Sequence, residues 1–120
     1  MKNVLVLGAG ISGLGAAHVL LRHECNVIVS DLKDNIKDKK EKEILQSFGV
    51  VFEFGMQSVE LLDGIDTVVV SPVISAENIV VMEAFKRRIP VISEIELAYR
   101  VTKAPILAVT GTNGEKNKKN

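Results

Sequence analysis

One short stretch constrains the fold of this chain more than any other. Val4–Leu7 is an apolar run of strand-forming residues, and Gly8-Ala-Gly10-Ile-Ser-Gly13 follows it without a break. An apolar pattern with helical spacing then begins, so the stretch reads as strand, tight turn and helix. A strand handing over to a helix within a few residues favours a parallel neighbour reached by a right-handed crossover. Each glycine has a separate predicted task. Gly8 permits the turn, Gly10 clears room for a phosphate to approach the backbone, and Gly13 lets the helix pack close to the strand. The N–H groups of the first helical turn then offer an anion site.

The rest of the chain repeats the alternation. Val27–Val29, Val50–Phe54, Thr67–Val70, Val91–Ile92 and Ile106–Val109 are further predicted strands. They are rich in Val and Ile and mostly continuous, as expected where both faces are covered. Helices are predicted at 12–22, 40–48, 57–62, 76–88 and 94–102. The fold class is therefore α/β: a doubly wound, Rossmann-like sheet of mainly parallel strands with helices on both faces.

Ser75 or Glu77-Asn78 is placed to cap the helix after Pro72, and Ile89-Pro90 ends it. The charged segment Lys33–Glu43 reads as a solvated loop followed by a helix start.

A chain of 120 residues has the length of one domain. The tail 115–120 carries three Lys and one Glu, so a chain of zero net charge has a slightly acidic body. That argues against the phosphate backbone of a nucleic acid as the main partner. No apolar run approaches membrane-spanning length. Cys25 is the only cysteine, which excludes an internal disulfide and fits a cytoplasmic setting. It reads as a small buried residue. Asp31 lies at the end of the second strand, 18 residues after Gly13, where such folds place an acid that meets the nucleoside. Together these features point to a nucleotide-shaped ligand, whether NAD, FAD or a UDP-sugar.

Other polar residues read as structural. His18 and His23 have no metal-ligand spacing. Glu94 and Glu96 are early-helix acids, and Ser12 lacks the surroundings of a nucleophile. No catalytic residue and no metal site are expected.

Three stretches resemble the Mur ligase family, at its D-glutamate-adding branch. They are Val-Leu-Gly-Ala-Gly-Ile-Ser-Gly-Leu-Gly-Ala-Ala near the start, Asp66-Thr-Val-Val-Val-Ser-Pro with Ile89-Pro-Val-Ile-Ser-Glu-Ile-Glu-Leu-Ala-Tyr-Arg, and Ala104-Pro-Ile-Leu-Ala-Val-Thr-Gly-Thr-Asn-Gly. Order and spacing agree over residues 3 to 114.

The resemblance implies the UDP-substrate-recognition domain of a cytoplasmic, ATP- and Mg-dependent ligase. Such an enzyme adds D-glutamate to UDP-MurNAc-L-alanine in peptidoglycan synthesis. By itself the chain is expected not to turn over. The family's diphosphate loop falls on Gly10, Ile11, Ser12 and Gly13. Its nucleoside contact falls on Asp31, Leu32 and Lys33, and its third contact on Ser71, Pro72 and Val73. An ATP loop would begin at Gly111, Thr112, Asn113 and Gly114.

Two departures stand out. Val73 replaces the family's usual glycine, and its Cβ threatens either the local backbone or a close phosphate contact. Glu115-Lys116 stands where the family has Lys then Ser/Thr, and a carboxylate there repels phosphate. The resemblance thus divides the chain into a substrate-binding domain (1–93), a linker helix with the incomplete start of an ATP domain (94–114), and a tail (115–120) expected to be disordered. The ATP loop is expected to be non-functional in this chain. Self-association is expected through an exposed face of the 94–102 helix, formed by Ile95, Leu97, Ala98 and Val101. Two competing readings are an NAD(H)-binding redox or regulatory module and a folded domain that has lost its ligand.

Overall fold

Five parallel strands in the order β3-β2-β1-β4-β5 form the sheet of the computed structural model. They are β1 (Asn3–Leu7), β2 (Asn26–Asp31), β3 (Val51–Phe54), β4 (Thr67–Val70) and β5 (Val91–Ser93). The helices are α1 (Ile11–Arg22), α2 (Lys39–Ser47), α3 (Ile79–Lys86) and α4 (Glu94–Val109), with a 3-10 turn at Val59–Leu62. The structure describes residues 1–34, 36–55 and 57–109, with backbone only at 11–12 and 102–109.

Alternation along β1 explains the two-sided core. Val4 and Val6 face α1, α2 and α4, packing with Leu14, Leu20, Leu45 and Leu97. Leu5 and Leu7 face the other side, with Leu62 and the α3 residues Val80, Val81 and Ala84. Val4–Leu7 are all fully buried, which is why that run is continuously apolar. Each large apolar side chain so buried contributes roughly 1.5–3 kcal/mol. The sheet is thus covered on both faces, as the sequence predicts.

Local chemistry sets the helix ends. The Asn78 side chain accepts from the N–H groups of Val80 and Val81, so α3 starts at Ile79. The expected start at 76 is a turn, in which Ser75 Oγ accepts from the Glu77 N–H. Ser93 Oγ accepts from the Glu96 N–H at the start of α4, and Glu94 and Glu96 lie in its first turn. The 57–62 stretch is only a 3-10 turn, Val59–Leu62, begun by Ser58. Cys25 is buried just before β2, and burial raises its thiol pKa.

Two expectations are corrected. Ile106–Val109 is not a strand, because α4 continues through it. A helix pairs its N–H and C=O groups within the segment, whereas a strand needs a neighbour, and among the described residues no strand lies beside this one. The face Ile95, Leu97, Ala98 and Val101 is also divided. Leu97 is only 2% exposed and Val101 packs against the same core. Ile95 and Tyr99 instead face solvent, because they project from the opposite side of α4. Gly111–Gly114 and the tail 115–120 lie outside the described residues.

Candidate nucleotide crevice

The strand order reverses direction of growth between β1 and β4, since one connection from β1 leads to β2 and the chain later returns to β4 on its other side. At such a point the loops beyond the carboxyl ends diverge and leave a crevice. Three separately predicted stretches meet at this edge: the glycine turn after β1, Asp31–Lys33 after β2, and Ser71–Val73 after β4.

The glycine turn is held from both sides. The Gly8 N–H donates to the Ser30 carbonyl at 2.8 Å, and the Ser71 N–H donates to the Leu7 carbonyl at 3.1 Å. Gly8 has φ +106°, and a Cβ there would lie 2.8 Å from Ser71 Cβ. Glycine is required on both counts. A Cβ at Gly13 would fall 1.8 Å from the Gly8 carbonyl oxygen, so Gly13 sets the close approach of α1 to the turn, as predicted. Gly10 differs, because a Cβ there meets nothing within 4 Å. The protein's own packing does not demand glycine at this position.

Gly10 is the N-cap of α1 and makes no side-chain cap. An α-helix has no internal acceptors for the N–H groups of its first turn, here Ile11, Ser12 and Gly13. They sit at the positive end of the helix dipole. Ala9, Gly10 and Leu14 line a cavity of about 440 Å³, closed on its other side by Ile36, Lys37, Asp38 and Glu41. The sequence reading did not single out this second wall. Its segment is tied down by Asp34, which accepts from Lys42 Nζ at 3.1 Å and lies 3.7 Å from Lys39 Nζ. The hydrogen bond from Lys42 is the main reason the Asp34 carboxyl lies below its ordinary pKa. Lys42 in turn sits over the stacked rings of Phe52 and Phe54, so the wall is anchored to β3. Asp38 caps α2 by accepting from the Glu41 N–H, and Glu41 Oε1 pairs with His18 Nε2 at 3.0 Å. His18 is thereby a bridge between α1 and α2, a contact that spacing alone does not reveal.

Asp31 stands at the end of β2 as predicted, but its carboxylate is partly used by the protein. Oδ2 accepts from the Ala9 N–H at 2.9 Å and Oδ1 from the Leu32 N–H at 2.7 Å. A carboxylate oxygen accepts more than one hydrogen bond, so the acid braces the glycine turn while keeping lone pairs for a hydroxyl or an amide. Leu32 and Lys33 are exposed beside it.

Ser71 opens a turn closed by the Ile74 N–H donating to the Ser71 carbonyl. Val73 is 85% exposed. Among the described non-glycine residues only Glu24 and Arg88 have positive φ, so valine at 73 imposes no left-handed backbone.

Beneath the crevice lies a buried polar group absent from the sequence reading. Gln57, only 7% exposed, donates from Nε2 to Ser30 Oγ at 3.2 Å and accepts at Oε1 from Asn78 Nδ2 at 2.9 Å. No sequence signal marks it, because its partners come from β2 and from the cap of α3.

Among the described residues no cluster of His, Cys, Asp or Glu could hold a metal ion, and no helix is long and apolar enough to cross a membrane.

Comparison with known proteins follows the same outline. Residues 2–93 match the family model described as Mur ligase MurD-like, N-terminal domain. The chain is similar to UDP-N-acetylmuramoylalanine–D-glutamate ligase of Caldanaerobacter subterraneus subsp. tengcongensis, with 43% identity over 114 residues. It is 42% identical over 114 residues to that of Staphylococcus epidermidis. In each case the match covers 95% of this chain and 25% of the relative, so the chain spans about a quarter of the length of these relatives. Among solved structures, UDP-N-acetylmuramate-alanine ligase MurC from Thermotoga maritima superposes with a TM-score of 0.71 at 19% identity, covering 87% of this chain and 23% of that one. A pseudomurein peptide ligase type C from Methanothermus fervidus gives 0.65 at 23% identity, over 83% and 20% of the two chains. At these identities the two structures speak for the fold alone.

Proposed function

The chain belongs to the family of MurD-like N-terminal domains of Mur ligases, and from that premise we propose that it is the part of a D-glutamate-adding ligase that holds the UDP end of UDP-MurNAc-L-alanine. The observation that carries this reading is the contrast between two glycines. Packing requires Gly13, whereas Gly10 lines the cavity with no protein atom near its missing Cβ. A diphosphate is the group that benefits from bare backbone at the start of a helix.

In this reading the diphosphate lies against the N–H groups of Ile11, Ser12 and Gly13. Asp31 accepts from the uracil or ribose, Leu32 lies against the nucleoside, and Lys33 supplies a point charge. The turn Ser71-Pro72-Val73 forms the opposite rim.

Chemically the domain binds and orients. Holding the remote nucleotide places the alanyl carboxylate for reaction elsewhere in the enzyme, so binding energy far from the bond being made lowers the entropy cost of making it. In the whole ligase, ATP with magnesium would activate that carboxylate as an acyl phosphate before the D-glutamate amine attacks. The residues that the resemblance assigns to ATP, Gly111–Gly114, lie outside the described residues, and no step is assigned to them. A cytoplasmic setting belongs to the same proposal.

Calorimetric titration with UDP tests the site. Binding is expected, with loss in both Gly10→Val and Asp31→Ala. Unchanged affinity in both variants overturns the assignment. NADH serves as the competitor, and no enhancement of its fluorescence is expected. Enhancement that both substitutions abolish would replace the UDP reading with the redox one.

A further inference from the structure

Gln57 links the end of β2 to the cap of α3. Its amide reaches Ser30 on one side and Asn78 on the other. Ser30 is the last residue but one of β2, and its carbonyl receives the Gly8 N–H of the glycine turn. Its neighbour Asp31 receives the Ala9 N–H. Asn78 caps α3 and closes the segment that begins at Ser71, where the Asn78 N–H donates to the Ser75 carbonyl and the Ile74 N–H to the Ser71 carbonyl. One side chain thus ties the carboxyl end of β2, which holds the glycine turn, to the end of the segment that follows β4.

A primary amide suits this place chemically. It carries a donor and an acceptor on one rigid plane, and both are used. Burying such a group without partners is costly, because it gives up its bonds to water and gains none in return. With partners at both ends, the same cost opposes any widening of the gap between them.

We propose that Gln57 is a positioning residue of the crevice: its side-chain amide, bonded to Ser30 and Asn78, fixes the separation of the diphosphate loop from the Ser71–Val73 turn. This inference rests on the UDP reading for its ligand, but not for its mechanics. The residue touches no substrate and acts through the backbone of Gly8 and Ala9.

The test uses Gln57→Met, which keeps the length of the side chain and removes both hydrogen bonds. Val50→Ala serves as a control: Val50 is buried just before β3, at the opposite edge of the sheet from the crevice, so the variant loosens the core away from it. Two quantities are measured: amide hydrogen exchange of the ligand-free protein, and UDP affinity. In Gln57→Met, exchange at Gly8 and Ala9 is expected to rise about tenfold relative to Val6 and Val69, and UDP affinity to fall about tenfold. Val50→Ala should raise exchange across the core and change affinity less than twofold at comparable stability.

Exchange at Gly8 and Ala9 that rises no more than at Val6 and Val69 overturns the proposal, and so does an affinity loss equalled by the control. Should Gln57→Met fail to fold, Asn78→Ser keeps a capping oxygen for α3 and removes the amide that reaches Gln57, and the same exchange ratio decides. Should the wild type bind no UDP, the ligand reading fails, and the exchange ratio still decides the role of Gln57.

Discussion

The Ala9 N–H donates to Asp31 Oδ2 across 2.9 Å, so the acid at the end of β2 is a strut of the glycine turn before it is a contact for any ligand. Asp31 Oδ1 holds the Leu32 N–H in the same way. The first hydrogen bond joins the loop after β1 to the end of β2, which the sequence separates by more than a helix, and the second shapes the chain just after Asp31. A carboxylate does this better than a neutral group, because hydrogen bonds to a charged acceptor contribute about 1.5–3 kcal/mol each.

Asp31→Asn is therefore expected to act on both stability and binding. Asparagine keeps one oxygen and replaces the other with a donor that faces an N–H. Chemical denaturation should show a loss of about 1–2 kcal/mol. UDP affinity should fall at least tenfold, because turn and nucleoside contact are lost together. Wild-type stability combined with weakened binding would show that the strut carries no weight.

Gly13→Ala and Gly10→Ala should separate packing from binding. The first places a Cβ on the Gly8 carbonyl oxygen and should cost about 3 kcal/mol or more. The second adds a Cβ to open space at a φ of −72°, and should cost about 0.5 kcal/mol. Gly10→Ala should nonetheless weaken UDP binding about tenfold, equivalent to about 1.4 kcal/mol. Thermal melts with and without UDP measure both quantities.

Asp66 predicts an acid-sensitive strand. Burial raises its carboxyl pKa, but the hydrogen bonds from the Asn3 and Lys2 N–H groups and from the Thr67 hydroxyl outweigh it, and the pKa lies below the ordinary value. A group depressed in the folded state stabilises the fold above its unfolded pKa. That contribution is lost as pH falls through the folded value. Denaturation midpoints should fall on acidification below the ordinary aspartate range, and Asp66→Asn should flatten that part of the profile. An identical acid limb in the variant would contradict the assignment.

Asn78→Ala removes the cap of α3 and one partner of Gln57 together. A lost cap costs about 1 kcal/mol, and the stranded Gln57 carbonyl adds to it, so the combined loss in urea titration should reach about 2 kcal/mol. Paired with Gln57→Met in a double-mutant cycle, the two losses should be clearly non-additive.

Local patterns made much of this molecule legible. β1 and β4 are runs of buried apolar residues, and Gly8 and Gly13 occupy the positions their missing side chains require. Asp31 lies where the strand–turn–helix unit puts an acid. The start of α3 shifted because a particular cap, Asn78, decided it. Misreadings arose where the answer depended on a distant partner. Ile106–Val109 has the composition of a strand, but a strand exists only beside another strand.

The sequence by itself determined the alternation of strands and helices, the two-faced sheet and the turn at Gly8–Gly13, because period, capping and backbone freedom act within a few residues. Only the tertiary structure decided that Lys37 and Asp38 wall the crevice, that Asp31 braces Ala9, that His18 meets Glu41, and that Gln57 bridges Ser30 to Asn78. Those contacts join residues 22, 23, 21 and 27 positions apart. Hydrogen bonds of that span exist only after the sheet order has brought the loops to one edge.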